Sequence, residues 1–156
     1  MPPRDAGSTS LLEAPPRPAG TVPAAFNMAL ASTPSSVEVA RRVARAWVRC
    51  YCRMQADQVD DVLIVMSELC TNAIQYGRSE SIDVRGWAPA PGELRFEVHD
   101  WSPSAVPAPQ YVDPDAEGGR GLVIVDALVA EMGGAWGFTD EGTCAWVHLV
   151  LAGVGR

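Results

Sequence analysis

The sequence predicts a two-layer α/β (α+β) sandwich, one sheet covered on one face by about three helices. Three observations predict it. In short segments apolar residues alternate with polar ones, the period of a strand with one buried face. In longer segments they recur every three or four residues, the period of a helix packed along one side. The segments then run strand, two helices, two strands, long loop, helix, two strands, with no internal repeat.

Residues 1 to about 20 are rich in Pro, Ala, Gly and Ser, a composition that buries too little apolar surface to order itself. A flexible tail is expected there, followed by one domain over 24–151. The first strand lies near Ala24–Leu30. Thr33-Pro34-Ser35-Ser36 starts a helix whose apolar stripe is Ala40, Val43, Ala44, Trp47, Val48 and Tyr51. Arg41, Arg45, Arg49 and Arg53 repeat on another face, read as a solvated face or as a docking surface for an acidic partner. The second helix spans about Asp57 to Tyr76, with Val59, Val62, Leu63, Met66, Leu69, Ala73 and Ile74 as its packing stripe and Gly77 as its stop. Ser81–Ala88 and Glu93–Asp100 alternate as strands around the turn Pro89-Ala90-Pro91-Gly92. Residues 102–118 lack periodicity; a loop of this length inside a domain usually serves function. A third helix begins near Gly121 and carries Leu122, Ile124, Val125, Leu128 and Val129. Strands at about Ala135–Thr139 and Thr143–Val150 close the chain around Asp140-Glu141-Gly142.

Composition narrows the function. The chain has 156 residues and a net charge of −7, which argues against a nucleic-acid footprint. No apolar run approaches the ~18 residues that span a bilayer, and the Pro-rich start has no signal core. There is no lysine; all 12 basic residues are Arg. A P-loop lysine and a Schiff-base lysine are thereby excluded, and any phosphate must be held by Arg, backbone N–H groups or a metal. Cys50, Cys52, Cys70 and Cys144 form no C-x-x-C pair, and His99 and His148 have no zinc-site spacing to them. Cys70 and Cys144 sit in apolar patterns as small core residues, in keeping with a cytoplasmic location.

Four positions carry chemistry. Glu68 and Asn72 stand four apart, so on a helix a carboxylate and a carboxamide project side by side, off the packing stripe. Asp100 ends an apolar strand and opens onto the long loop, placed to accept from an exocyclic amine. In Gly118-Gly119-Arg120-Gly121-Leu122, glycines admit a close ligand and the following helix offers its N-terminal N–H groups, which suits phosphate. Gly142-Thr143-Cys144 precedes the last strand. Singly, each has a plain structural explanation: a wetted helix face, a turn Asp, a helix start, a hairpin. Their joint occurrence, in this order and on these element types, favours a magnesium–nucleotide site.

The series resembles the GHKL ATPase superfamily over about residues 24–151. Glu68-x-x-x-Asn72-Ala73 is similar to its N-box, Asp100-x-Ser102 to its first glycine box, Gly119-Arg120-Gly121-Leu122 to its second, and Gly142-Thr143 to its last. Ser67-Glu68-Leu69-Cys70-Thr71-Asn72-Ala73 and Gly119-Arg120-Gly121-Leu122 are, within it, similar to actinobacterial anti-sigma-factor serine/threonine kinases. The resemblance implies a Bergerat-type ATP-binding fold with a mixed sheet, and ATP with Mg²⁺ as ligands. It implies that Asn72 holds the metal, that Glu68 is the general base or orients the nucleophile, and that Asp100 accepts from the adenine amino group. Ala73, Ser102, Gly119, Arg120, Gly121, Leu122 and Thr143 would complete the nucleotide site, under a lid over 103–118. The implied partners are a sigma factor, an anti-sigma antagonist protein or both, without direct nucleic-acid or membrane contact, and relatives often form homodimers. Two departures stand out: Glu117 where some members carry a lid Arg, and Cys144 where many carry a hydroxyl. They leave a second expectation open, a nucleotide-dependent protein-binding module with little or no kinase activity.

Overall fold

The structure, a computed structural model, describes residues 25–52, 54–101, 120–139 and 142–151. The elements are β1 (Ala25–Ala31), α1 (Ser35–Tyr51), α2 (Ala56–Tyr76), β2 (Ser81–Trp87), β3 (Glu93–His99), α3 (Gly121–Glu131), β4 (Ala135–Thr139) and β5 (Cys144–Val150). They match the expected order. The N-terminal tail, the 102–118 loop and Arg53 lie outside the described residues.

The five strands form one sheet in the order β1-β2-β3-β5-β4. All four pairings are antiparallel, which corrects the expected mixed sheet. The topology explains it. The crossover through α3 joins β3 to β4, which run the same way, but β5 inserts between them and pairs with both.

Alternation sorts the two faces as the sequence demands. Ile82, Val84, Leu94, Phe96, Val98, Val147 and Leu149 point inward and are buried. The helices cover that face with Ala40, Ala44, Trp47 and Val48 of α1, the stripe Val59–Ala73 of α2, and Leu122, Val125 and Val129 of α3. Val43, expected in the α1 stripe, is 37% exposed, because the helix turns its Ala40–Ala44–Trp47–Val48 edge to the core instead. At the β1 end, Phe26 lies over Gly86 so closely that any Cβ there would overlap its ring; Phe26 also meets Trp47 and Phe96, with centroids 5.5 and 6.0 Å apart. Gly86 is therefore the gap that the aromatic cluster fills.

The helix that matters most, α2, starts with a capping box between Gln55 and Gln58 and stops at Gly77, as expected. The stop is an extended residue (φ −70°, ψ 155°) rather than a left-handed one, and its N–H bonds the Ala73 carbonyl at 2.9 Å. No helix among the described residues is long and apolar enough to cross a membrane.

Candidate functional site

Helix α2 supplies the floor of the site. Ser67 and Thr71 donate their hydroxyls back to the Leu63 and Ser67 carbonyls, at 2.6 and 2.8 Å. Those hydroxyls are thereby used inside the helix. Glu68 and Asn72 remain, both half-buried, one turn apart and off the core stripe.

The chain brings two further elements to that turn. The first is the start of α3. A Cβ built on Gly121 would stand 2.5 Å from the Glu68 Oε2, while Glu68 Cδ and Cβ would be at ordinary distances of 3.6 and 3.8 Å. The carboxylate thus rests on the glycine itself. Among the described residues, the Arg120 side chain does not cap the first turn of α3, and that turn holds no acidic residue of its own. The second element is the end of β3. A Cβ on Gly77 would lie 3.1 Å from Asp100 Cβ and 3.4 Å from its Oδ2, and would overlap the Ala73 carbonyl oxygen. Asp100 is therefore seated against the last turn of α2. Its N–H bonds the Thr143 carbonyl at 3.0 Å, which ties the start of β5 to the same corner.

The structure thus converges Glu68, Asn72, Asp100, Gly121 and Thr143 on the C-terminal half of α2. Ala73 and Leu122 turn their side chains into the core, so they shape the site through packing and backbone. Arg120 is exposed at the α3 start. Ser102, Gly119 and Glu117 lie outside the described residues. Cys144 does not face this corner. Its Sγ lies 3.5 Å from His99 Nε2, because β3–β5 register sets Cys144 opposite His99 on the sheet face away from the helices. It therefore does not occupy the place of a phosphate-facing hydroxyl.

Electrostatics suit a base. Burial pushes the Glu68 carboxyl above its ordinary value, since desolvation disfavours the charged form. Sequence reasoning treated Gly77 only as a helix stop and missed its second role, the close seat for Asp100. The signal was present in its position, one residue past the helix that carries Glu68 and Asn72.

A family model described as the histidine kinase-like ATPase domain matches residues 30–149. The chain belongs to that family. Histidine kinase-like ATPase domains bind ATP, usually with Mg²⁺. Among solved structures, the chain is similar to the histidine kinase domain of the blue-light activated histidine kinase from Erythrobacter litoralis EL346, at 24% identity and a TM-score of 0.47, over 61% of this chain and 45% of that one. It is also similar to a longer chain of the blue-light activated histidine kinase from the same organism, at 22% identity and a TM-score of 0.48, over 64% and 32%. The match spans less than half the length of either kinase chain. No curated protein sequence matches this ATPase domain.

Proposed function

We propose that this ATPase-family chain is an ATP-binding regulatory protein that acts as an anti-sigma-factor serine/threonine kinase. It would control transcription by sequestering a sigma factor and by phosphorylating an antagonist protein. The observation that carries the reading is the seat of the Glu68 carboxylate on Gly121, where α2 meets the start of α3. A helix N-terminus favours anionic phosphate, and a raised carboxyl beside it is a better base toward a serine or threonine hydroxyl.

The other residues take roles that fit their positions. Asp100, held against Gly77, accepts from the adenine amino group and selects ATP over GTP. Gly121, with no side chain, leaves room for the Glu68 carboxylate at the helix start. Asn72, half-buried and one turn from Glu68, offers the single neutral oxygen that suits Mg²⁺, which keeps most of its ligands from water and phosphate. When bound, that ion offsets the charge of the triphosphate. Catalysis in such a site comes mainly from positioning and charge neutralisation.

A second reading, an ATP-dependent binding module without useful transfer, is favoured by Glu117, a carboxylate next to the glycine box. Labelled ATP added to a cytoplasmic extract separates the two. A labelled partner with the wild type and none with Glu68→Ala supports the kinase. Partner capture that depends on ATP but carries no label supports the module.

A further inference from the structure

On the opposite face of the sheet, three side chains that no nucleotide role uses come together. Glu97 and His99 sit two apart on β3, and Cys144 stands across from His99 on β5. His99 Nε2 is 3.0 Å from Glu97 Oε2 and 3.5 Å from Cys144 Sγ, and all three ligand atoms lie within 4.8 Å of one another. We propose that Glu97, His99 and Cys144 form a binding site for a thiophilic divalent metal of the Zn²⁺ type.

The proximity of the three ligand atoms is the observation behind it. Zinc bonds of about 2.0–2.1 Å to nitrogen, 2.0–2.2 Å to oxygen and 2.3 Å to sulfur place tetrahedral ligand atoms roughly 3.3 to 3.6 Å apart. The His99–Cys144 separation matches that edge and the Glu97–His99 separation falls slightly inside it; the Glu97–Cys144 separation is bounded at 4.8 Å, so a bound ion would draw these two ligands together. One thiolate, one imidazole and one carboxylate form a donor set that suits Zn²⁺ and not Mg²⁺ or Ca²⁺. Three protein ligands leave the fourth position of a tetrahedral ion for water.

The surroundings hold the ligands in place, as metal sites require. Arg95 donates from Nε and Nη2 to Glu97 Oε1, at 3.2 and 3.0 Å, which leaves Oε2 turned to His99. Arg95 is itself fixed between Trp146 and Trp87, 4.7 and 5.9 Å from their ring centres. The His99 ring is stacked on Trp101 at 4.9 Å and 25°. Coordination forms an Sγ–metal bond and breaks the Sγ–H bond, and the proton passes to solvent. The ion also needs the Nε2 lone pair, so the proton that Nε2 now donates to Glu97 Oε2 passes to Nδ1, or to solvent where Nδ1 already carries one, and the ion replaces that contact. Burial pushes the Cys144 thiol up to about 11, so without metal the group is a thiol.

The position gives the site a consequence. His99 directly precedes Asp100, and Cys144 directly follows Thr143; the Asp100 N–H to Thr143 carbonyl bond lies between them. A bound ion clamps the two strand ends that carry the proposed adenine acceptor.

The test is Co²⁺ titration of the full chain without nucleotide, followed by Zn²⁺ competition. The wild type should take up one ion, with a thiolate-to-cobalt charge-transfer band and the visible bands of a tetrahedral site. Cys144→Ser should lose the charge-transfer band, while Cys50→Ser, which removes an exposed thiol, should keep it. Glu97→Gln and His99→Gln carry the test if Cys144→Ser does not fold. Each should weaken Zn²⁺ by at least about tenfold, since loss of even a ligand's hydrogen-bond partner costs roughly 10- to 100-fold. No band in the wild type, a band that survives Cys144→Ser, or unchanged affinity in Glu97→Gln and His99→Gln would overturn the proposal. Because nucleotide is absent, none of these results bears on the ATP reading.

Discussion

Replacing Gly121 by Ala isolates the contact on which the site is built. The added methyl would stand 2.5 Å from Glu68 Oε2, and ordinary contact begins near 3.4 Å, so the oxygen must withdraw by about 0.9 Å. Only the end of the side chain is in the way, since Cδ and Cβ already sit at normal distances. Terminal carboxylate torsions are broad, so the fold should absorb the change. Ala is the better helix former, by up to about 1 kcal/mol in a helix interior and less in a first turn. Stability in urea should therefore stay level or rise slightly. Function should not. A misplacement of about 1 Å costs roughly 100-fold in rate, equivalent to about 2.7 kcal/mol of barrier. ATP turnover or phosphoryl transfer should fall by about that factor. In a Glu68→Ala background the clash is gone, so Gly121→Ala should show only its helix gain, and the double-mutant cycle in urea reads the contact independently of turnover. Wild-type turnover in Gly121→Ala would refute the placement of Glu68 on α3.

Gly77→Ala should behave in the opposite way: its methyl meets the Ala73 carbonyl and Asp100 Cβ, backbone and near-backbone atoms that cannot swing aside, so urea denaturation should show a loss of about 1–3 kcal/mol together with weaker ATP binding. Glu68→Gln should raise stability at neutral pH. The folded Glu68 carboxyl lies above its ordinary value near 4.5, so the folded state binds the extra proton, and wild-type stability from this group is lowest at neutral pH and recovers as pH falls through the folded value. The difference between wild type and Glu68→Gln should therefore close on acidification, as followed by urea midpoints against pH. Glu97 has the reverse sign. Burial pushes it up, but hydrogen bonds and charge from His99 and Arg95 prevail and hold it below the ordinary value. Its contribution is present above the unfolded value and is lost as pH falls through the folded one, so Glu97→Gln should shift the acid-unfolding midpoint upward.

Much of the fold was legible because burial is one-sided. Strand β3 announces itself through Leu94, Phe96 and Val98, and helix α2 through a stripe that leaves Glu68 and Asn72 outside it. What could not be read was lateral order. Alternation states that β5 has a buried face; it does not state that β5 lies between β3 and β4. That insertion replaced a parallel β3–β4 neighbour pair with two antiparallel pairings. It also brought Cys144, 45 residues away in sequence, against His99, an arrangement no ligand-spacing rule detects. The same pairing turned Cys144 away from the nucleotide corner, so comparing it with a hydroxyl in relatives misjudged its role. Gly77 is a parallel case. A helix stop is a local signal, whereas the seat for Asp100 depends on where β3 ends. Val43 shows the limit of a helical stripe, because several apolar residues share a face and packing chooses among them.

The central claim is that the C-terminal half of α2, with Asp100 and Gly121, holds a magnesium–ATP complex. Trp101 reports on it directly: it adjoins Asp100, is 50% exposed and stacks on His99. The deciding measurement is Trp101-sensitive fluorescence during ATP titration, with and without Mg²⁺, in the wild type and in Asn72→Ala. The account predicts saturable binding with a dissociation constant of roughly 1 μM to 1 mM, or about −8 to −4 kcal/mol. It also predicts that binding tightens with Mg²⁺ in the wild type and is indifferent to Mg²⁺ in Asn72→Ala. A wild-type signal that stays flat at millimolar ATP, or an Asn72→Ala variant that keeps its full dependence on Mg²⁺, would contradict it.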